Sequence, residues 1–203
     1  MKSQRVRRSL EEARSEILSA AEAVLAEKDF GALTVDLVMQ RTGMTRSSFY
    51  HYFNGLDDLA VDLLRQFEDD IRASVDPWLR GEYSGDPRTA TVSHLSAMFE
   101  VMHEHRASAR AVAQAAGGYP QVYREWQSGV VDYFIAQTAA FIRQEVKAGR
   151  SRADDPERLA RALILMNNGV ANDGILRDAI DDHAAMARVL ADIWNAAIYG
   201  ADG

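Results

Sequence analysis

The sequence predicts an all-α protein: an N-terminal helix-turn-helix domain of three helices, then a larger helical domain, with about nine helices in all. Apolar residues recur at three- and four-residue spacing along nearly the whole chain, and β-branched residues nowhere alternate over the length of a strand. Only four prolines interrupt the 203 residues. The breaks between periodic segments fall at glycines and short polar turns, which punctuate helices.

Ser9, followed three residues later by Glu12, forms a capping box that opens the first helix. Along it Ile17, Leu18, Ala21, Val24 and Leu25 make one apolar stripe. Gly31 ends this segment. Thr34 caps a short second helix, VDLVMQR, with Leu37 and Val38 turned inward, and Gly43 suits the left-handed residue that closes it. Thr45 caps a third helix, RSSFYHYF. After Asn54-Gly55 a fourth helix buries Leu56, Leu59, Leu63, Leu64 and Phe67. Beyond Pro77 five more helices are expected near 88–105, 107–116, 120–148, 156–180 and 183–199, with breaks at SGDP, Gly117-Gly118, Gly149 and Asp181-Asp182. The expected division is residues 1–54 for the small domain and 55–203 for the large one.

The net charge is −7, but it is unevenly spread. Residues 1–53 carry eight Lys/Arg against seven Asp/Glu, while the remainder carries fifteen against twenty-three. The basic arm of Lys2, Arg5, Arg7 and Arg8 is either a nucleic-acid contact or an ordinary solvated tail. No apolar run approaches the ~18–20 residues that span a bilayer, and no apolar segment follows the basic start, so neither a membrane span nor a secretory leader is expected. The absence of cysteine excludes disulfides, thiolate metal sites and cysteine nucleophiles, and fits a cytoplasmic location. His103 and His105 are two apart, so they diverge on a helix instead of gripping one metal. No GxSxG elbow, phosphate loop or dinucleotide fingerprint is present. The expectation is a protein that is not an enzyme and needs no cofactor or metal.

Two short helices joined by a glycine-containing turn describe a helix-turn-helix. On the third helix Phe49 and Phe53 are four apart and can pack under Leu18, Val35 and Val38. That leaves Arg46, Ser47, Tyr50, and with them Ser48 and His51, to face a major groove. Arg46 can fork to a guanine edge; hydroxyl, imidazole and phenol groups can hold phosphate oxygens. The competing reading makes Tyr50 and Tyr52 plain core or surface aromatics.

The stretch LTVDLVMQRTGMTRSSFYHYFNGLDDLAVDLL resembles the DNA-binding signature of the tetracycline-repressor (TetR) family, over about the first 65 residues. The resemblance implies a transcriptional regulator, most often a ligand-responsive repressor, that binds double-stranded operator DNA as a homodimer. It assigns operator contact to Arg46, Ser47, Tyr50 and Tyr52, helped by Thr34, Thr45, Ser48 and His51. Family members usually carry a phosphate-binding Lys where this chain has Leu56, so that contact is missing here or supplied elsewhere. A ligand-sensing helical protein with weak or lost DNA binding is the alternative.

In the body, Leu95, Met98, Phe99 and Met102 share one predicted helix, and Trp126, Val130, Tyr133, Phe134 and Gln137 follow one side of another. Asn167 lies four residues after Leu163 on an apolar stripe, and Trp194 lies near the chain end. Such stripes serve as ordinary core or as ligand lining, and a buried Asn167 needs a hydrogen-bond partner in either case. The segments EWQSGVVDYF, LILMNNGV and IWNAAIYG are similar to a mycobacterial branch of the same family. That likeness implies a largely apolar ligand tunnel in each subunit for a hydrophobic effector, and it favours Met98, Met102, Trp126, Tyr133, Asn167 and Trp194 as lining; Leu95, Phe99, Val130 and Gln137 join them as candidates from helical spacing. A second Asn of that branch corresponds to Ile164, which makes the lining more apolar. The likeness also places the dimer interface on the last two helices, where Gly169, Ala171, Gly174, Ala187 and Ala191 permit close approach or pack within the subunit.

Overall fold

A computed structural model describes residues 10–177 and 179–200. Ser9 of the capping box and the basic arm (Lys2, Arg5, Arg7, Arg8) lie outside the described residues. The described residues are predominantly helical. Helices α1 (Leu10–Leu25), α2 (Val35–Thr42) and α3 (Arg46–Tyr52) form the N-terminal unit, with one 3₁₀ turn at Phe30–Ala32. The Thr34 hydroxyl accepts a hydrogen bond from the Leu37 N–H (3.2 Å), and the Thr45 hydroxyl accepts one from the Ser48 N–H (3.3 Å). Between these two caps Gly43 takes the left-handed conformation, φ 65°, which a side chain would strain. Cap, helix, αL glycine and cap therefore set the angle between α2 and α3 within a dozen residues.

The body comprises α4 (Leu56–Leu79), α5 (Pro87–Glu104), α6 (Arg106–Ala116), α7 (Pro120–Trp126), α8 (Tyr133–Lys147), α9 (Pro156–Arg177) and α10 (His183–Tyr199). A π-helical turn, Gln127–Asp132, joins α7 to α8. Counting that rod as one, the described residues form nine helices, the number expected. The sequence gives no hint of the π turn. Its cause lies on α4: the Arg72 guanidinium donates to the Gly129 carbonyl (2.6 Å), and a Cβ on Gly129 would overlap the Glu68 carboxylate. The backbone is drawn against α4 at a residue with no side chain, and the ladder loosens there.

α4 is the central post, in contact with α1, α5, α6, α7 and α8, while α5 packs on α10 and α8 on α9. One continuous buried cluster runs from Ile17, Val38, Phe49 and Phe53 in the N-terminal unit through Leu59, Leu63 and Phe67 of α4 into the body. Polar contacts lock the two parts. Gln114 of α6 accepts from the Phe30 N–H (2.8 Å) and donates to Asp29 (3.0 Å), and Ser108 of α6 donates to Glu22 of α1 (3.2 Å).

Arg14 joins three helices at once. Its Nε donates to Asp62 of α4 (2.6 Å), its Nη1 donates to the Tyr52 carbonyl at the end of α3 (2.7 Å), and its guanidinium lies 4.4 Å from the Phe53 ring centroid. Asp62 is buried and otherwise meets only a longer contact with Arg65 at 3.4 Å. Arg14→Ala is therefore expected to lower the unfolding free energy by about 1–3 kcal/mol, measured by urea denaturation, because a buried carboxylate loses its main partner. A loss below about 0.5 kcal/mol would deny Arg14 this role.

Candidate functional site

Two features carry chemistry: the exposed end of the N-terminal unit and an apolar cavity in the body. At the first, Thr34, Thr45, Arg46, Ser47, Tyr50 and His51 are all exposed. Ser48 is half-buried and shares a hydrogen bond with the Thr45 hydroxyl (2.9 Å). Tyr52 is half-buried too, packed on the core with its ring edge-on to His51 at 5.1 Å. Arg46 pairs with Asp36 of α2 (2.7 Å) and reaches the Tyr50 hydroxyl (3.5 Å). The Asp36 partnership, ten residues back, has no signature in the sequence pattern.

The cavity lies along α4. Phe67, Ile71, Val75 and Leu79 form one wall; His94, Met98 and Met102 of α5, Trp126, Val130 and Val131 of the rod, Phe134 and Thr138 of α8, Ile164, Asn167, Asn168 and Ala171 of α9, and Trp194 complete it. From Phe67 to Leu79 the wall rises about 18 Å at 1.5 Å per residue. The cavity holds only about 60 Å³, against the ~300–1,000 Å³ of pockets that seat drug-sized ligands.

Its two ends differ chemically. Nearer the N-terminal unit the lining is Phe67, Met102 and Trp126, all apolar, with Phe67 stacked on Trp126 at 6.1 Å; His105, three residues beyond Met102 and 6.1 Å from Phe67, is outside the lining and pairs with Asp70. At the far end His94 stacks on Trp78 (4.3 Å), Trp78 lies 4.2 Å from Phe141, one turn beyond Thr138, and Trp194 lies 6.0 Å from His94. The Trp194 indole donates to the Asn167 side-chain oxygen (3.2 Å), which satisfies that buried amide oxygen. His94 Nδ1 and Thr138 Oγ1 are buried without a hydrogen-bond partner.

Beside the cavity a polar bracket fixes the π turn to α4. Tyr133 donates its hydroxyl to Asp76 (2.5 Å), and the Arg72 guanidinium lies 4.3 Å from the Tyr133 ring centroid. Burial pushes the Glu68 carboxyl above its usual range, with Arg72 opposing the shift.

The family model described as "Transcriptional regulator EthR, C-terminal domain" matches residues 92–200, and that of "Bacterial regulatory proteins, tetR family" matches residues 17–63. The chain belongs to the TetR family.

Among its curated relatives is the HTH-type transcriptional regulator EthR of Mycolicibacterium smegmatis, 28% identical over 200 residues, covering 91% of this chain and 85% of that protein. EthR of Mycobacterium tuberculosis H37Rv is 26% identical over 186 residues, covering 91% and 86%. A transcriptional regulator structure from Rhodococcus sp. RHA1 superposes with a TM-score of 0.75 at 21% identity, covering 94% and 98%, and one from Mesorhizobium loti with 0.73 at 18%, covering 94% and 96%. As a TetR-family member the chain is a transcriptional regulator of the DNA-binding repressor class, and such regulators bind operator DNA as dimers. Among the described residues no helix is long and apolar enough to cross a membrane, and no three acidic or histidine side chains are grouped to hold a metal.

In this TetR-family chain, Met98, Met102, Trp126, Val130, Asn167 and Trp194 meet at the cavity. Four other residues expected there do not. Leu95 is fully buried in the general core. Phe99 faces a separate small pocket and stacks on His183 at 5.6 Å. Tyr133 turns to Asp76, and Gln137 is half-buried outside the lining. The π turn is the reason for the last two. By widening the helix it advances the register by one residue, so that Phe134, already on the expected side, and Thr138 face inward while Tyr133 and Gln137 turn away. His94 and the α4 wall were also not singled out from the sequence; His94 sits four residues before Met98, a polar position on an apolar stripe.

Burial alone pulls the His94 imidazole down to about pH 3, from an ordinary value near 6.5. The folded chain keeps it neutral while the unfolded chain takes up a proton below pH 6.5. Stability from this residue is therefore present above pH 6.5 and lost as pH falls toward 3, by about 2 kcal/mol at pH 5. Urea unfolding at pH 7 and pH 5 is expected to show a smaller loss in His94→Phe than in the parent by about that amount; equal losses would contradict a neutral, desolvated His94.

Proposed function

We propose that the chain is a ligand-responsive repressor, acting in the cytoplasm as a homodimer released from its operator by an apolar small molecule seated in the cavity. The observation that carries this is the double duty of α4. Its first half is bonded through Asp62 to Arg14 and thence to α3, while its second half, Phe67 to Leu79, is a wall of the cavity. A ligand larger than the present 60 Å³ has to push that wall, and the push reaches the helix that faces DNA. Met98 and Met102, flexible and polarizable, allow the lining to adapt.

Arg46, Ser47 and Tyr50, helped by Thr34, Thr45 and His51, offer the exposed polar surface for the operator, with Ser48 and Tyr52 set further back. Two such helices must meet major grooves about 34–36 Å apart. Pairing through α9 and α10 is supported by the exposed Leu165, Val189 and Ile193, and by the exposed Gly169. Ala171, Ala187 and Ala191 are buried inside the subunit, and Gly174 packs on Ile180, so close approach rests on the outer residues. A sensor that has lost DNA binding is the second reading, favoured by the half-buried Leu56 and by the Asp36 carboxylate bonded to Arg46.

A gel-shift titration on the chain's own upstream DNA separates the two. Arg46→Ala is expected to cost on the order of 1–3 kcal/mol of operator binding and to relax base preference if the guanidinium reads a base; undiminished affinity would reassign the contact surface. For the switch, hydrophobic compounds that raise the melting temperature are expected to weaken operator binding by roughly 5–150-fold. Val130→Trp should release DNA without ligand, and Trp126→Ala should blunt the ligand response while sparing DNA binding. Compounds that stabilise the protein and leave DNA affinity unchanged would show a pocket without a switch.

A further inference from the structure

Resting on the effector reading above, we propose that the ligand is an uncharged amphiphile whose hydroxyl-type head is held by His94 and Thr138 at the far end of the cavity, its apolar tail lying toward Phe67 and Trp126. Three helices agree on this polarity. Along α4 the wall runs from Phe67 to Leu79; along α5 it runs the opposite way, from Met102 to His94; along the rod it runs from Trp126 to Thr138. The polar members His94 and Thr138 fall at one end in each case, and Phe67, Met102 and Trp126 at the other.

Those two polar groups are otherwise costly. His94 is 6% exposed and Thr138 0%, and each has a side-chain polar atom with no partner. A buried polar atom without a hydrogen bond is destabilising, and such atoms are scarce in folded proteins. Asn167, on the same wall, shows the contrast, since its side-chain oxygen is satisfied by Trp194.

The chemistry of the pair selects the head group. No lining residue carries a charge, and burial keeps the His94 imidazole neutral. An anionic or cationic head would enter without a counter-charge, at a large desolvation cost. A neutral imidazole offers one donor and one acceptor, and a threonine hydroxyl offers both. A head that itself donates and accepts satisfies either tautomer of His94, and an alcohol does so with one oxygen. An ether can only accept.

The probes are 1-octanol and its isomer heptyl methyl ether, with octanoate and octylammonium as the charged counterparts, titrated calorimetrically into the full chain at pH 7.5. The alcohol is expected to bind about tenfold tighter than the ether, the worth of one hydrogen bond to a buried partner. Both charged compounds should bind at least tenfold more weakly than the alcohol. Thr138→Val and His94→Phe should each shrink the alcohol-to-ether ratio, and the double variant should bring it near one while still binding the ether. Thr138→Val swaps a hydroxyl for a methyl and preserves the test if His94→Phe fails to fold. Equal binding of alcohol and ether, a ratio unchanged in the variants, or octanoate binding tighter than octanol would overturn the head-group assignment and leave the apolar-effector reading standing. No binding of either neutral compound would overturn both.

Discussion

The contact of Arg14 with Asp62 and the Tyr52 carbonyl governs how this molecule is put together. It is a charge pair set at the seam where α1, α3 and α4 converge, partly shielded by Phe53. Apolar packing alone would hold those helices together at many relative angles. A guanidinium that must meet a carboxylate, a carbonyl and a ring face at once admits few. α4, about 36 Å long over its 24 residues, then transmits that orientation into the body as a stiff member. The N-terminal unit is thus not an appendage on a flexible tether but is fixed to the front end of α4.

At the other end of α4 the constraint is again polar. Glu68, Arg72 and Asp76 occupy successive turns of α4 and face the π turn, the Gly129 carbonyl and the Tyr133 hydroxyl. Apolar walls can slide by fractions of an ångström at little cost. A bracket of charge-assisted bonds is satisfied in one arrangement or another, with unfavourable intermediates between. The cavity is therefore bounded by a soft side, with two methionines, and a side that moves in steps.

Local rules made the N-terminal unit legible in the sequence. Thr34, Gly43 and Thr45 determine their own surroundings within a few residues, and Phe49 and Phe53 announce the buried face of α3 by spacing alone. The α5 stripe of Met98 and Met102 was readable for the same reason. On the rod after Trp126 the same arithmetic fails by one residue, because the π turn is imposed by Arg72, fifty-seven positions earlier in the chain, and periodicity carries no record of it. Arg14 with Asp62, and Arg46 with Asp36, are long-range in the same sense. Neither pairing leaves a mark in helical spacing; Arg46 was legible only as a candidate base contact. His94 was hidden differently, as one polar letter in an apolar stripe whose burial only the packed body reveals.

The Arg46–Asp36 pair has a consequence for how this acidic chain handles salt. A lone cation that docks on a phosphate displaces counterions from the DNA, and the resulting gain in ion entropy makes binding fall steeply as salt rises. Arg46 already has a counterion, built into the neighbouring helix. In the proposed operator-contact role, Arg46 would have to trade one anion for another, and the Asp36 carboxylate it left behind would attract a cation from solution. Ions released at the duplex would then be offset by ions taken up by the protein, so in that role this arginine would contribute geometry while adding little to the ionic-strength dependence of binding.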